Sequence, residues 1–142
     1  MVAVLLPDKS LRLAWCGDSR AYWMAPGRVL EKLTSDHNLA EEYRASGMTD
    51  FPVSFRSLVT SHMARTEGSF GDVGTAAPPS GPGRLLLCSD GLYSPFEDAD
   101  ADIGAVLAAG TPREAASRLV RSAMTFPARR RDNATALVAD IS

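Results

Sequence analysis

The chain has 142 residues and a net charge of −2, from 15 basic and 17 acidic side chains. Hydrophobic residues make up 45% and charged residues 23%, which is typical of a globular protein and excludes a disordered or collagenous chain. The near-neutral charge argues against a nucleic-acid binder that neutralises many phosphates. No run of about 18 apolar residues occurs, so the sequence predicts no membrane-spanning helix.

The first residues predict no export signal. Residues 1–8 have no basic segment, and their apolar run is too short for a secretory leader. Cys16 and Cys88 each end an apolar run, where a small buried thiol is common. Their spacing to His37 and His62 argues against a zinc site. We therefore expect a cytoplasmic protein with two reduced cysteines.

The first third of the chain predicts β structure. Candidate strands cover residues 2–6, 11–16, 21–24 and 29–33. Their alternating or apolar character and close spacing predict an antiparallel meander. A short helix is predicted over 39–46, because Asn38 can cap its start and Gly47 can end it.

The second half predicts a strand, two helices and a last strand. Residues 48–83 fit no clear pattern, and their proline- and glycine-rich end at 76–83 predicts a loop. A strand over 84–88 runs into a turn at 89–92, and helices are predicted over 102–109 and 111–124. Thr111, Pro112 and Glu114 form a capping box with proline at the first helical position. A turn at Asp132 and Asn133 then leads into a strand over 134–141, and no internal repeat occurs.

Three aspartates end apolar β segments, each beside Gly, Ser or Asn. They are Asp18, Asp90 and Asp132. Each of them alone is most often a turn residue that accepts nearby backbone amides. Three such carboxylates converging at one end of a sheet would repel each other and lose hydration, and a divalent cation relieves both costs. Oxygen-only sites of this kind suit Mg²⁺ or Mn²⁺.

Four segments resemble motifs of the metal-dependent serine/threonine protein phosphatases of the PPM, or protein phosphatase 2C, family. Residues 13–22 (LAWCGDSRAY) resemble "vGDSRay", and 33–38 (LTSDHN) resemble "lTxDH". Residues 85–93 (LLLCSDGLY) resemble "llLcSDGLw", and 132–138 (DNATALV) resemble "DNiTvvvv". The motifs stand in the family's order, and only residues 48–83 match poorly.

The resemblance implies an α+β fold, an antiparallel β-sandwich flanked by helices. It implies that Asp90 binds a two-metal centre, that Asp132 binds one metal of that pair and that Asp18 helps to hold a third. Gly17, Ser89, Gly91 and Asn133 would shape the turns that present these carboxylates, and the segment after His37 would form a flap. With two to three Mg²⁺ or Mn²⁺ ions, a metal-activated water would hydrolyse phosphoserine and phosphothreonine in proteins, without a side-chain nucleophile.

The resemblance also implies that the front of the domain is missing. The family's first strands carry a phosphate-binding arginine and a bridging aspartate in an Asp-Gly turn, whereas Asp90-Gly91 is the single Asp-Gly pair here. We therefore expect residues 1–142 to be an N-terminally incomplete phosphatase domain with open sheet edges, with weak or no activity alone and with room for a partner that supplies strands. The arginines at 129–131 are interpreted as a solvated basic loop.

Two other interpretations were weighed, and the sequence argues against the first of them. Residues 17–21 (GDSRA) nearly match the Gly-x-Ser-x-Gly elbow of serine hydrolases, but that motif needs a following helix and the sequence predicts a strand there. The alternative function is a non-catalytic pseudophosphatase that acts as an interaction module, or a gene fragment without its own function.

Overall fold

The computed structural model describes residues 2–5, 11–61, 72–127 and 131–142. His62, Arg129 and Arg130, which the sequence analysis considered, lie outside these ranges. None of the helices within them is both long and apolar enough to cross a membrane. The chain divides into two units, Met1–Ser19 with Thr34–Ala77, and Arg20–Leu33 with Pro78–Ser142.

Among the residues described, the first unit contains a small antiparallel sheet and one α-helix. Its strands are β1 (Val2–Leu5), β2 (Arg12–Trp15) and β5 (Gly74–Ala76), in the order β1-β2-β5. Helix α1 spans Leu39–Ala45, and a 3-10 turn spans Val53–Ser57.

The start and end of α1 confirm the helix that the sequence predicts between Asn38 and Gly47. The Asn38 side-chain oxygen accepts a hydrogen bond from the Glu41 amide at 2.9 Å, as a helix cap does. Gly47 follows the helix with φ of +85°, a conformation that glycine adopts at no steric cost. The predicted helix therefore forms within one residue of its expected end.

In the described part of the second unit there are a four-stranded antiparallel sheet and three helices. Its strands are β3 (Arg20–Met24), β4 (Glu31–Lys32), β6 (Gly83–Cys88) and β7 (Ala136–Ile141), in the order β4-β3-β6-β7. The helices are α2 (Asp90–Asp98), α3 (Ile103–Ala108) and α4 (Pro112–Thr125). The predicted capping box opens α4, with the Thr111 amide donating to Glu114 Oε2 at 2.9 Å.

One face of this sheet packs against the helices. Tyr22, Leu86 and Val138 are register neighbours across β3, β6 and β7, and they belong to the helix-packed core. The alternation of side chains along a strand places the next row, Trp23, Leu85 and Ala139, on the opposite face. The largest core side chains from the helices are Leu92, Phe96, Leu107 and Leu119.

Three structural expectations were wrong in detail. The turn predicted at 89–92 is the first turn of α2. This helix is not predicted from the sequence because it contains Pro95, and proline usually breaks a helix. The predicted meander is interrupted, because β2 and β3 belong to different sheets. Strand β5 ends at Ala76, inside the predicted loop 76–83, and β6 begins at the last residue of that loop. The α+β class with antiparallel sheets is confirmed.

Candidate functional site

The second unit brings together the loops that carry Asp90 and Asp132. Strands β6 and β7 are antiparallel, and Cys88 at the end of β6 pairs with Ala136 at the start of β7. The segments that hold the two aspartates, 89–91 and 132–135, therefore leave the sheet at the same end. Two of the three predicted metal ligands thus lie on neighbouring loops.

Ser89 joins these two loops through three hydrogen bonds. Its hydroxyl donates to the carbonyl oxygen of Asn133 at 3.0 Å and accepts from the amide of Thr135 at 3.0 Å. Its amide donates to the carbonyl oxygen of Thr135 at 3.2 Å. The serine of the Ser-Asp-Gly motif therefore ties the Asp90 loop to the Asp132 loop.

Gly91 lets the two loops come close. A β-carbon at position 91 would stand 2.6 Å from the carbonyl oxygen of Asn133 and 3.0 Å from the carbonyl carbon of Asp132. Backbone atoms cannot move aside as a flexible side chain can, so any larger residue would separate the loops. The glycine is required here by close approach rather than by its own backbone angles.

Both aspartates are held by the amide of the following residue. Asp90 is the first residue of α2, and its Oδ1 accepts from the Gly91 amide at 2.9 Å. Asp132 Oδ1 accepts from the Asn133 amide at 2.7 Å. The start of a helix is a favourable position for an acidic residue. Asp90 is half-buried and Asp132 is exposed, so both are placed at the rim of the unit.

Asp18 lies in the first unit, in the turn that follows β2. The turn contains Gly17 with φ of +103° and is held by residue 37. The Gly17 amide donates to His37 Nδ1 at 3.3 Å, and the His37 amide donates to the Gly17 carbonyl at 3.0 Å. The convergence of Asp18 with Asp90 and Asp132 stays a prediction.

The Thr-Ser-Asp-His-Asn segment, which the sequence analysis read only as a motif, is a buried polar support in the first unit. Thr34, Asp36 and Asn38 are each at most 5% exposed. The indole nitrogen of Trp15 donates to the Ser35 carbonyl at 2.7 Å, which fixes the segment against β2. The signal that could have revealed this role is the run of five polar residues directly before a helix, since such residues favour caps and turns.

Arg20 is the residue whose importance the sequence analysis missed. It is 8% exposed, and its guanidinium lies 3.5 Å from the ring centroid of Tyr93. It donates to the Tyr22 hydroxyl at 3.1 Å and to Glu97 Oε1 at 2.5 Å. Tyr93 and Glu97 belong to α2, so Arg20 links β3 to the helix that begins with Asp90. The arginine of the Gly-Asp-Ser-Arg motif is thus a structural support of the candidate site.

Burial also acts on the tyrosine beside Arg20. Removal from water raises the pKa of Tyr22 to about 12, and the neighbouring positive charge of Arg20 opposes that shift. The desolvation is the larger effect, so Tyr22 keeps its hydroxyl proton well into the alkaline range. It therefore accepts from Arg20 as a neutral phenol.

Asp90 and Asp132 supply only some of the ligands that a metal ion needs. Within the described ranges, no group of three or more His, Cys, Asp and Glu side chains is placed to hold a metal ion. Asp90 and Asp132 offer hard carboxylate oxygens of the type that Mg²⁺ and Mn²⁺ prefer, but these ions take about six ligands. The two aspartates therefore fit part of a cation site.

The serine hydrolase interpretation fails on local structure. Ser19 is followed directly by β3, which begins at Arg20, whereas the elbow motif needs a helix after the serine. Arg131, the described member of the basic triplet, donates from Nη1 to the carbonyl of Met124 at 3.1 Å and is exposed. That geometry agrees with a solvated loop at the end of α4.

Solved structures similar to this chain include serine/threonine phosphatases of bacteria. PppA, a key regulatory component of T6SS in Pseudomonas aeruginosa, is 30% identical, with a TM-score of 0.78 over 96% of this chain and 55% of its own. The PPM Ser-Thr phosphatase MsPP from Mycobacterium smegmatis, in complex with cacodylate, is 28% identical, with a TM-score of 0.79 over 99% and 61%. The catalytic domain of the serine/threonine phosphatase PstP, in complex with two manganese ions, is 26% identical, with a TM-score of 0.72 over 99% and 58%.

These comparisons confirm the resemblance to PPM-type phosphatases and limit its extent. The chain spans 55% to 61% of the length of these three structures. No protein-family profile matches the sequence, and no curated protein matches it. The likeness therefore covers nearly all of this chain and a little over half of a PPM-type phosphatase.

Proposed function

We propose that this chain, which has the motifs and part of the fold of a PPM-type serine/threonine phosphatase, acts in metal-dependent hydrolysis of phosphoserine and phosphothreonine in proteins. The observation that carries the proposal is the link through Ser89, which holds the Asp90 and Asp132 loops together at one end of a sheet. The substrate class and the cations, Mg²⁺ or Mn²⁺, come from the likeness to phosphatases, one of which is in complex with manganese.

The residues of this chain would hold and orient the metal. Asp90 and Asp132 each accept a hydrogen bond from a local amide with Oδ1, which restrains the carboxylate, and Oδ2 is the oxygen that we propose for the cation. Ser89 and Gly91 keep the two loops at close approach. A bound cation would supply Lewis acidity and an activated water for attack on a phosphate ester.

Activity of the chain alone is expected to be weak. Two carboxylates give fewer ligands than a Mg²⁺ or Mn²⁺ ion needs, and the contribution of Asp18 is part of the proposal. Cytoplasmic location is also proposed, and the buried thiols of Cys16 and Cys88, which are not in a disulfide, support it.

A phosphatase assay tests this function. We expect slow Mn²⁺-dependent release of phosphate from an aryl phosphate and from a phosphothreonine peptide, far below that of MsPP assayed alongside. The activity should be lost in Asp90→Asn and in Asp132→Asn. It should be kept in Asp100→Asn, an exposed aspartate with φ of +50° that asparagine tolerates. Turnover that survives Asp90→Asn would contradict the proposed role of this site.

The second candidate is a non-catalytic interaction module. Among the described residues, no group of three or more His, Cys, Asp and Glu side chains is placed to hold a metal ion, and this candidate does not require one. Complete absence of Mn²⁺-dependent phosphate release from both substrates, in a folded chain, would support this candidate over the enzyme.

A further inference from the structure

We propose that the exposed side of helix α4 and the loop after it bind acidic residues that flank the phosphorylated residue of a substrate protein. Arg113, Arg121 and Arg131 form this surface, which we call the arginine surface. It belongs entirely to the second unit. Its role rests on the proposed function, because it selects among phosphoproteins for the same candidate site.

Basic residues are concentrated in this part of the chain. Residues 111–131 contain six of the 15 basic residues and only one of the 17 acidic residues, whereas the whole chain has a net charge of −2. Positive charge that is gathered on one element attracts a negatively charged partner and speeds their encounter. Because the rest of the chain is net acidic, an acidic partner is attracted to this element in preference to the others.

Arg113 and Arg121 lie on the side of α4 that faces solvent. The opposite side of the helix is packed into the core through Ala115, Leu119 and Ala123. Both arginines are exposed, and they are eight residues apart, which is about 12 Å along the helix axis and a little over two turns. They therefore share one face of the helix.

Arg131 continues the arginine surface beyond the end of the helix. Its Nη1 donates to the carbonyl oxygen of Met124, in the last turn of α4, at 3.1 Å. This bond uses one of the five N–H groups of an exposed guanidinium. Asp132 is the next residue in the chain. The arginine surface therefore leads from the first turn of α4 to the loop of the candidate site.

The one acidic residue of α4 is engaged elsewhere. Glu114 Oε2 accepts from the Thr111 amide at 2.9 Å in the capping box, and this bond lowers the pKa of Glu114. The positive charge of Arg118 acts in the same direction. Arg118 thus balances the charge of Glu114, and the arginine surface stays positive.

Carboxylates of an extended peptide suit this surface better than other anions do. A guanidinium presents paired N–H groups that match a carboxylate, and the arginines are spread along the helix rather than around a pocket. A membrane surface would need a broad apolar face beside the arginines, but Met124 is the one large apolar side chain that α4 exposes. The net negative charge of the chain disfavours a nucleic acid.

Peptide binding tests the arginine surface without metal or turnover. The probe is an unphosphorylated peptide with three aspartates on each side of a threonine, and its control has asparagine in place of each aspartate. The acidic peptide should shift the amide NMR signals of residues 113, 117, 121 and 131. It should bind about fivefold or more tightly than the control peptide, and added salt should weaken it because the charges are screened.

A matched pair of variants checks that the contact is on α4. The double variant Arg113→Gln with Arg121→Gln should weaken binding of the acidic peptide by about fivefold or more, because two charge-assisted contacts are lost. Glutamine has nearly the helix propensity of arginine, so the helix should be kept. Arg28→Gln, at an exposed arginine of the same unit outside α4, should leave the affinity unchanged.

Turnover separates this role from the proposed function. With Mn²⁺ and the phosphothreonine forms of both peptides, kcat/KM should be higher for the acidic peptide, and the double variant should reduce this preference. Phosphate release at equal rates from both peptides would overturn the role of the arginine surface and leave the proposed function intact. Binding at the arginine surface without any phosphate release would contradict the proposed function and support the docking surface.

Three results of the binding experiment would overturn the arginine surface as a site for acidic peptides. The signals of α4 could stay unshifted when the acidic peptide is added, or the double variant could bind the peptide as tightly as the wild type. In the third, vesicles that contain phosphatidylserine would bind these residues more tightly than the peptide, which would identify a membrane surface as the partner.

Discussion

Arg20 shows how a buried charge can be accommodated when the guanidinium has both hydrogen-bond acceptors and an aromatic ring beside it. Its Nη1 reaches both Tyr22 and Glu97, and its plane covers Tyr93. Lysine keeps the charge but has no planar group to lie over an aromatic ring and donate sideways at the same time. The identity of the side chain therefore matters here as well as its charge.

We expect Arg20→Lys to lower the free energy of unfolding by about 1 to 3 kcal/mol, because the contact with Tyr93 and the hydrogen-bond geometry are lost. Urea unfolding followed by circular dichroism measures the change. The matched control is Arg28→Lys, at an exposed residue of the same unit, which should stay within about 0.5 kcal/mol of the wild type. Equal effects of the two substitutions would show that Arg20 has no such role.

The ion pair between Arg84 and Asp140 predicts that the free energy of unfolding depends on pH. Hydrogen bonds from Arg84, at 2.6 and 2.9 Å, hold the pKa of Asp140 below its usual value. A lowered pKa in the folded state stabilises the fold above the unfolded pKa of about 3.9, and this contribution is lost as the pH falls through the folded pKa. Because Asp140 is half-exposed and screened by solvent, the effect should be below about 1 kcal/mol.

Comparison of the wild type with Asp140→Asn tests the direction of this pH dependence. The wild type should be the more stable protein at about pH 6, and the difference should shrink as the pH falls below about 3.9, because the unfolded chain binds the proton at a higher pH than the folded Asp140 does. Urea unfolding at the two pH values measures it. A difference that grows toward low pH would contradict the assignment.

At the scale of elements, helix α2 is where sequence and structure differ most. Local signals place the other helices, because Asn38 caps α1 and the Thr111–Glu114 box opens α4. The start of α2 has the turn chemistry of Ser89-Asp90-Gly91, and Pro95 suggests a break. Its position is decided by packing, since Leu92, Tyr93 and Phe96 are buried in the core of the second unit. Packing partners distant in sequence cannot be read from local patterns.

The same reasoning explains which parts of the candidate site were predictable. The motifs identified Asp90 and Asp132 because both follow or precede apolar strands beside turn residues. The bond from Ser89 to residue 133 joins positions far apart in the chain, so local sequence carries no sign of it. The contact between Arg20 and the ring of Tyr93 could not be predicted for the same reason.

The close contact between α2 and the Asp132 loop makes Gly91 sensitive to substitution. Alanine normally stabilises a helix interior by about 1 kcal/mol relative to glycine. At Gly91, however, the added carbon would meet backbone atoms at 2.6 and 2.8 Å, and overpacking of this kind costs about 1–3 kcal/mol. We therefore expect Gly91→Ala to lower the melting temperature.

Ser94→Ala, in the same helix, is the control for helix propensity and should change the melting temperature little. Calorimetry of both variants gives the comparison. A Gly91→Ala protein that is more stable than the wild type would show that the two loops can separate at no cost.

At the scale of the whole molecule, the predicted ligands are divided between the two units. Asp18 belongs to the first, and Asp90 and Asp132 belong to the second. The single partial domain over residues 1–142 and the third-metal role of Asp18 stay predictions. The proposed cation site needs the second unit alone: we propose that the loops joined by Ser89 bind a divalent cation between Asp90 and Asp132.

Paramagnetic broadening by Mn²⁺ tests this claim most directly, because it locates even a weakly bound ion. Mn²⁺ at substoichiometric amounts should first broaden the amide NMR signals of residues 89–91 and 132–135. The selectivity should vanish in Asp132→Asn and remain in Asp100→Asn, which loses the same charge at an exposed site. Broadening that is spread evenly over exposed acidic residues, or that is unchanged by Asp132→Asn, would show that no cation binds between Asp90 and Asp132.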